Sequence, residues 1–242
     1  MARRKLQELD ASSIADIAFI LLAFIIIATT LEKESGLPAV LPQKRDVEVE
    51  PPKANERNIL EILVNSKDQL MIEKEWDKKL EDINGVVKTF MSNPNDLDNM
   101  PVMISVTKAE CRTQLAKLRI DLAATKSPET IGIIKNQMSK WQGKLNATEL
   151  VGNYRTINPG ATIAIQYDKG TSYGQYLSVR DRIMSGLNEL RDELAMKNFG
   201  VTYAALESIR AEVKTEEDKA KIKAVREVYP QKIIKLPAKN VD

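Results

Sequence analysis

Residues 11–31 read ASSIADIAFILLAFIIIATTL and hold one ionising side chain, Asp16. A hydrocarbon core about 30 Å thick takes roughly 20 apolar residues of helix. A lone segment in lipid must satisfy its own backbone groups, which leaves helix as its only conformation. Arg3, Arg4 and Lys5 precede the run; Glu32, Lys33 and Glu34 follow it. The positive charge ahead of the span predicts a cytoplasmic N-terminus for residues 1–10, with residues 32–242 on the far side, the periplasm in a bacterium. A cleaved export signal is the other reading, because Arg3-Arg4 before an apolar run resembles a twin-arginine signal. The acid within the run, its length and the poor Ala28-Thr29-Thr30 cleavage site argue against that.

A carboxylate at the centre of a membrane helix costs about 2.5 to 3.5 kcal/mol. Such residues generally face a protein interior and carry function. Asp16 lies only about 7 to 8 Å of helix rise from residue 11, so reaching water at the cytoplasmic interface is the alternative. The helix face favours the first reading. Asp16, Ile20, Ala23, Ile27 and Thr30 fall on one stripe, with Ser12 and Ser13 a turn earlier. Ala18, Leu21, Leu22 and Ile25 fall opposite, towards lipid. Small and hydroxyl-bearing residues let helices approach closely and share hydrogen bonds. The 4, 3, 4, 3 spacing is that of a parallel helix pair. One helix cannot shield a carboxylate from lipid, so the chain is expected to sit among partner helices. A carboxyl group that alternates between neutral and charged forms there carries protons. One charge crossing the membrane gains about 2.3 kcal/mol per 100 mV, which biases a rotation or tilt if the two forms prefer different arrangements.

The rest of the composition excludes several functions. Formal net charge is +2, with no histidine and a single cysteine, Cys111. Nothing draws the chain to nucleic acid, no internal disulfide forms, and the commonest neutral-pH base and metal ligand is missing. The sequence holds no Gly-x-Ser-x-Gly, no phosphate-cradling glycine loop and no metal-ligand spacing. No enzyme activity, cofactor or metal is expected.

Residues 32–58 hold Gly36, Pro38, Pro42, Pro51 and Pro52, which blocks helix and predicts an extended periplasmic linker. Val47 and Val49 alternate with acids, so this segment either spaces the units or adds as an edge strand. Residues 59–64 are a short apolar run typical of a buried strand, 65–68 a turn and 70–73 a returning strand. Helix is predicted over 77–91, with Leu80, Ile83, Val87 and Met91 on one side. Residues 102–106 read as a strand. Residues 109–126 and 128–148 read as a helical hairpin, with Ser127 as the cap of the second helix. Residues 161–167 read as a strand, 176–197 as a long helix with Leu177, Ile183, Leu187, Leu190 and Leu194 inward, and 215–228 as a charged helix. The tyrosines 167, 173 and 176 cluster at a turn, where packing or capping is expected. The fold class is α+β: one transmembrane helix, a linker, and a small periplasmic domain over 59–242 with a helical insertion at 94–160.

Ser12-Ser13-Ile14-Ala15-Asp16-Ile17-Ala18-Phe19-Ile20-Leu21-Leu22 resembles the signature of the ExbD/TolR family. Gly36-Leu37-Pro38-Ala39-Val40-Leu41-Pro42 is similar to the stretch that follows the family's helix. Asp168-Lys169-Gly170-Thr171-Ser172-Tyr173, the run Asn188-Glu189-Leu190-Arg191-Asp192-Glu193-Leu194-Ala195 and Val228-Tyr229-Pro230-Gln231-Lys232-Ile233 resemble the long ExbD variants of the Bacteroidetes. The resemblance covers about residues 12–93 and 161–233. It implies a single-pass inner-membrane subunit that dimerises within a ring of a multi-pass ExbB- or TolQ-like partner. It implies a complex driven by the proton motive force that energises a TonB-like protein for outer-membrane transport. The family's transmembrane aspartate maps onto Asp16. Two other readings stay open: a structural membrane tether, and a MotB- or gliding-type stator, for which the wall-binding motifs are missing.

Overall fold

The computed structural model describes residues 15, 17–24, 56–210 and 213–238. The chain divides into two compact units, residues 1–50 and 51–242. In the first, residues 15 and 17–24 (α1) are helical, with no Gly or Pro to interrupt them. Among the described residues no helix is long and apolar enough to cross a membrane. Residues 11–14, 16 and 25–31 of the expected span, and 32–55 of the expected linker, lie outside the described residues.

The second unit is α+β. Ile59–Val64 (β1), Leu70–Ile72 (β2), Glu75–Lys78 (β3), Thr162–Tyr167 (β6) and Ile233–Lys235 (β7) form a mixed sheet in the order β3-β2-β1-β6-β7. β1 pairs antiparallel with β2 and parallel with β6, in a register that sets Ile62 opposite Ile165. β7 adds parallel to β6. Period-two alternation sends Leu60, Ile62, Val64, Ile163 and Ile165 to one face. There they pack with Ile83 and Val87 of Asp82–Ser92 (α2) and with Val179, Ile183 and Leu187 of Tyr173–Phe199 (α5). Burial of each such side chain contributes about 1.5 to 3 kcal/mol.

Between α2 and β6 the chain makes Met103–Val106 (β4), Lys108–Ala124 (α3), Pro128–Val151 (α4) and Tyr154–Ile157 (β5). The helices form the expected hairpin. β4 and β5 pair antiparallel as a separate two-stranded ribbon at its base, so residues 103–106 are a strand outside the main sheet. Tyr203–Ser208 (α6) and Glu216–Val228 (α7) follow α5. A capping box starts α7: Thr215 accepts from the Asp218 backbone, and the Asp218 side chain accepts from the Thr215 backbone.

Four local expectations are corrected. The helix expected from residue 77 begins at Asp82, and Asp77 lies in β3 with φ 59°. Glu73 and Lys74 both take left-handed φ, 50° and 70°, making the two-residue turn that folds β3 onto β2. Ser127 precedes α4 but makes no side-chain cap bond; Pro128 starts the helix with no N–H to satisfy. Leu177, expected inward, is 40% exposed, and Val179 takes the core position instead. The tyrosines pack as expected: the Tyr167 and Tyr176 rings lie 4.7 Å apart, and Tyr173 stacks on Tyr176.

Candidate functional site

Of the residues expected on the working face, Ser12, Ser13, Asp16, Ile27 and Thr30 lie outside the described residues. Ile20 and Ala23 are described and helical; Ile20 is 67% exposed and Ala23 partly so. Ala18, Leu21 and Leu22 on the opposite stripe are exposed as well. Exposure therefore does not distinguish the two faces. The large apolar side chains Ile17, Phe19, Ile20, Leu21, Leu22 and Phe24 are all uncovered. An apolar surface of that kind needs lipid or another chain against it.

In the second unit a groove of about 670 Å³ is lined by residues of β1, β6 and β7 and by Phe90 of α2. Ile59, Ala164, Ile234 and Leu236 give it apolar walls, and Glu56, Arg57, Glu61, Glu73 and Lys74 supply charge. It begins beside Glu56, the first described residue of this unit. Its lining brings together no nucleophile and base. It suits contact with an extended segment better than bond chemistry.

The junction of α5, α6 and α7 carries the most developed polar network. Arg191 is 3% exposed. Its Nε and Nη2 donate to the Tyr229 carbonyl at 3.1 and 2.9 Å, and its Nη1 donates to Asn188 Oδ1 at 3.2 Å. Burial pulls its pKa below the usual arginine value, with a smaller push from Arg226. Arg226 donates to the Tyr203 hydroxyl at 2.7 Å and pairs with Glu207. Both guanidinium groups flank the Tyr203 ring. Sequence reasoning placed Leu177, Ile183, Leu187, Leu190 and Leu194 inward on α5 and did not include Arg191. The missed signal was spacing: Arg191 follows Leu187 by four residues and so shares its inward side. The network fastens helices; it presents nothing to a substrate.

Among the described residues no group of three or more Cys, Asp or Glu side chains is placed to hold a metal ion. Cys111 is fully buried, and burial pushes its thiol up, away from the reactive thiolate.

The family model for the biopolymer transport protein ExbD/TolR matches residues 2–190. Neither the curated proteins nor the solved structures give a significant match. The match takes in the apolar run with Asp16, every strand of the main sheet but β7, the hairpin and most of α5. The chain belongs to the ExbD/TolR family of membrane-associated biopolymer transport proteins.

Proposed function

We propose that this chain is the single-pass, ion-carrying subunit of an inner-membrane motor of the ExbB–ExbD type, which uses the proton motive force to energise TonB-dependent outer-membrane transport. Asp16 is the proton carrier. Ser12, Ser13, Ile20, Ala23, Ile27 and Thr30 form the face that a second copy or a multi-pass partner covers. The N-terminus is cytoplasmic, residues 11–31 cross the membrane, residues 32–58 link, and residues 59–242 work in the periplasm.

One observation carries the reading: a single family match runs through the Asp16 segment and into the folded unit. An acid in an apolar run is weak evidence alone. The same acid inside a segment that the family match spans is stronger support. The uncovered apolar side chains of α1 support the need for partner helices.

Energy-dependent uptake in cells tests it. Asp16→Asn abolishes uptake while expression and complex assembly persist; normal uptake in that variant returns the chain to a passive tether. Asp16→Glu keeps part of the function, because a protonatable group survives.

A further inference from the structure

The seam between α4 and α7 holds polar groups that the reading above does not use. A cleft of about 410 Å³ opens there, bounded by Gly143 and Ala147 of α4 and by Ala224 and Glu227 of α7. Ala147 and Ala224 also pack with Cys111 and Tyr154 in one buried cluster behind it. Tyr154 is 8% exposed, and its hydroxyl has no hydrogen-bond partner among the described residues. Thr156 Oγ1, which donates to the Val228 carbonyl at 2.8 Å, lies 3.4 Å from the Glu227 backbone carbonyl. Among the described residues the Glu227 carboxylate has no hydrogen bond and no ion pair. It stands on the last turn of α7, where the helix dipole is negative and disfavours an anion. A Cβ added at Gly143 would lie 3.8 Å from Glu227 Oε2, so the α4 backbone lies close against the carboxylate.

The surroundings leave this carboxylate poorly compensated. Lys144 of α4 and Lys232 beyond α7 favour its charged form. Both are committed elsewhere: Lys144 lies over the Trp141 ring at 4.4 Å, and Lys232 donates to the Pro159 carbonyl at 3.2 Å. Cys111 from α3 and Tyr154 from β5 present neutral groups. Within α7, Lys219 pairs with Glu216 at 2.7 Å and Arg226 turns to Glu207 of α6. Lys223 lies one turn earlier on the cleft wall, and α5 directs Arg191 to Tyr229.

We propose that Glu227 is a proton-operated latch on the α4–α7 seam: with its carboxyl neutral the seam closes, and with it charged the seam admits water and loosens. The carboxyl exchanges its proton with solvent through the cleft. Burial, outweighing the two lysines, holds its folded-state pKa above the ordinary carboxylate value. The native state thus binds this proton more tightly than the unfolded chain. Its contribution is greatest below the unfolded pKa and is lost as pH rises through the folded one. The latch is independent of Asp16.

Cys111 is the chain's single cysteine and lies in the same cluster, so its labelling reports opening of the seam. The full chain in detergent is labelled with a disulfide reagent that reacts in acid. Each rate is divided by that of the denatured chain at the same pH. The expected ratio is low in acid and rises severalfold as pH climbs past the ordinary carboxylate range, because the folded-state pKa of Glu227 is raised. Glu227→Gln holds the ratio at its low, acid-side value at every pH. Lys144→Gln moves the rise to higher pH, because a neighbour favouring the charge is gone. A flat wild-type profile, a rise that survives in Glu227→Gln, or an unmoved rise in Lys144→Gln overturns the proposal. If Glu227→Gln fails to fold, the wild-type profile and the Lys144→Gln shift decide it.

Discussion

Arg191 grips the carbonyl oxygen of Tyr229 through two nitrogens, Nε at 3.1 Å and Nη2 at 2.9 Å, across 38 residues of sequence. Tyr229 is the C-terminal cap residue of α7, and helix ends leave carbonyls without intrahelical partners. A buried cation there satisfies one of them and opposes the negative end of the dipole. The segments 188–195 and 228–233, each singled out for family resemblance, are thereby docked to one another.

Arg191→Ala should destabilise the folded unit by about 1 to 3 kcal/mol, the range for leaving a buried acceptor unpaired. Arg191→Lys should recover only part of that, since an ammonium lacks the planar fork. Urea denaturation of both variants measures it. A wild-type midpoint in Arg191→Ala would show that water serves the carbonyl equally well.

The β2–β3 turn carries strain that a substitution relieves. Lys74 sits at φ 70°, and left-handed backbone costs a side-chain-bearing residue about 1 to 2 kcal/mol. Lys74→Gly should raise stability by about 1 kcal/mol. The ion pair it removes, Lys74 to Glu56 at 3.4 Å, is exposed on both sides and is worth little. A fall in thermal midpoint would mean that the turn depends on that pair.

Gly186 is required by a close approach. A Cβ there would come 2.9 Å from the Asn84 carbonyl oxygen and 3.1 Å from its Cα, both backbone atoms of α2. Gly186→Ala should push α2 and α5 apart at a cost of about 1 to 3 kcal/mol. It should also weaken the neighbouring bond from Asn84 Nδ2 to Glu189 Oε1, now 2.8 Å. Circular dichroism melts, with Gly174→Ala as the control at an open position, check this.

What the sequence disclosed follows the strength of each local signal. The run ILEILV is typical of a buried strand, and β1 spans 59–64. The hairpin was legible from its apolar stripes and Pro128. β3 was not, because Glu73-Lys74 lacks the Asn or Gly that advertises a two-residue turn. β5 and β7 escaped notice because short strands acquire their identity from partners distant in sequence: β5 from β4, β7 from β6. Arg191 was not among the residues expected inward, since long charged side chains are rarely buried. The expected working face is a different case, since only Ile20 and Ala23 of it fall within the described residues.

The most direct test purifies the chain with the multi-pass partner proposed for it, reconstitutes the complex in vesicles and records ion flux under an imposed proton motive force. The account predicts proton uptake by the wild-type complex and none by an equally well assembled Asp16→Asn complex. Equal flux in the two, with assembly confirmed, would contradict it.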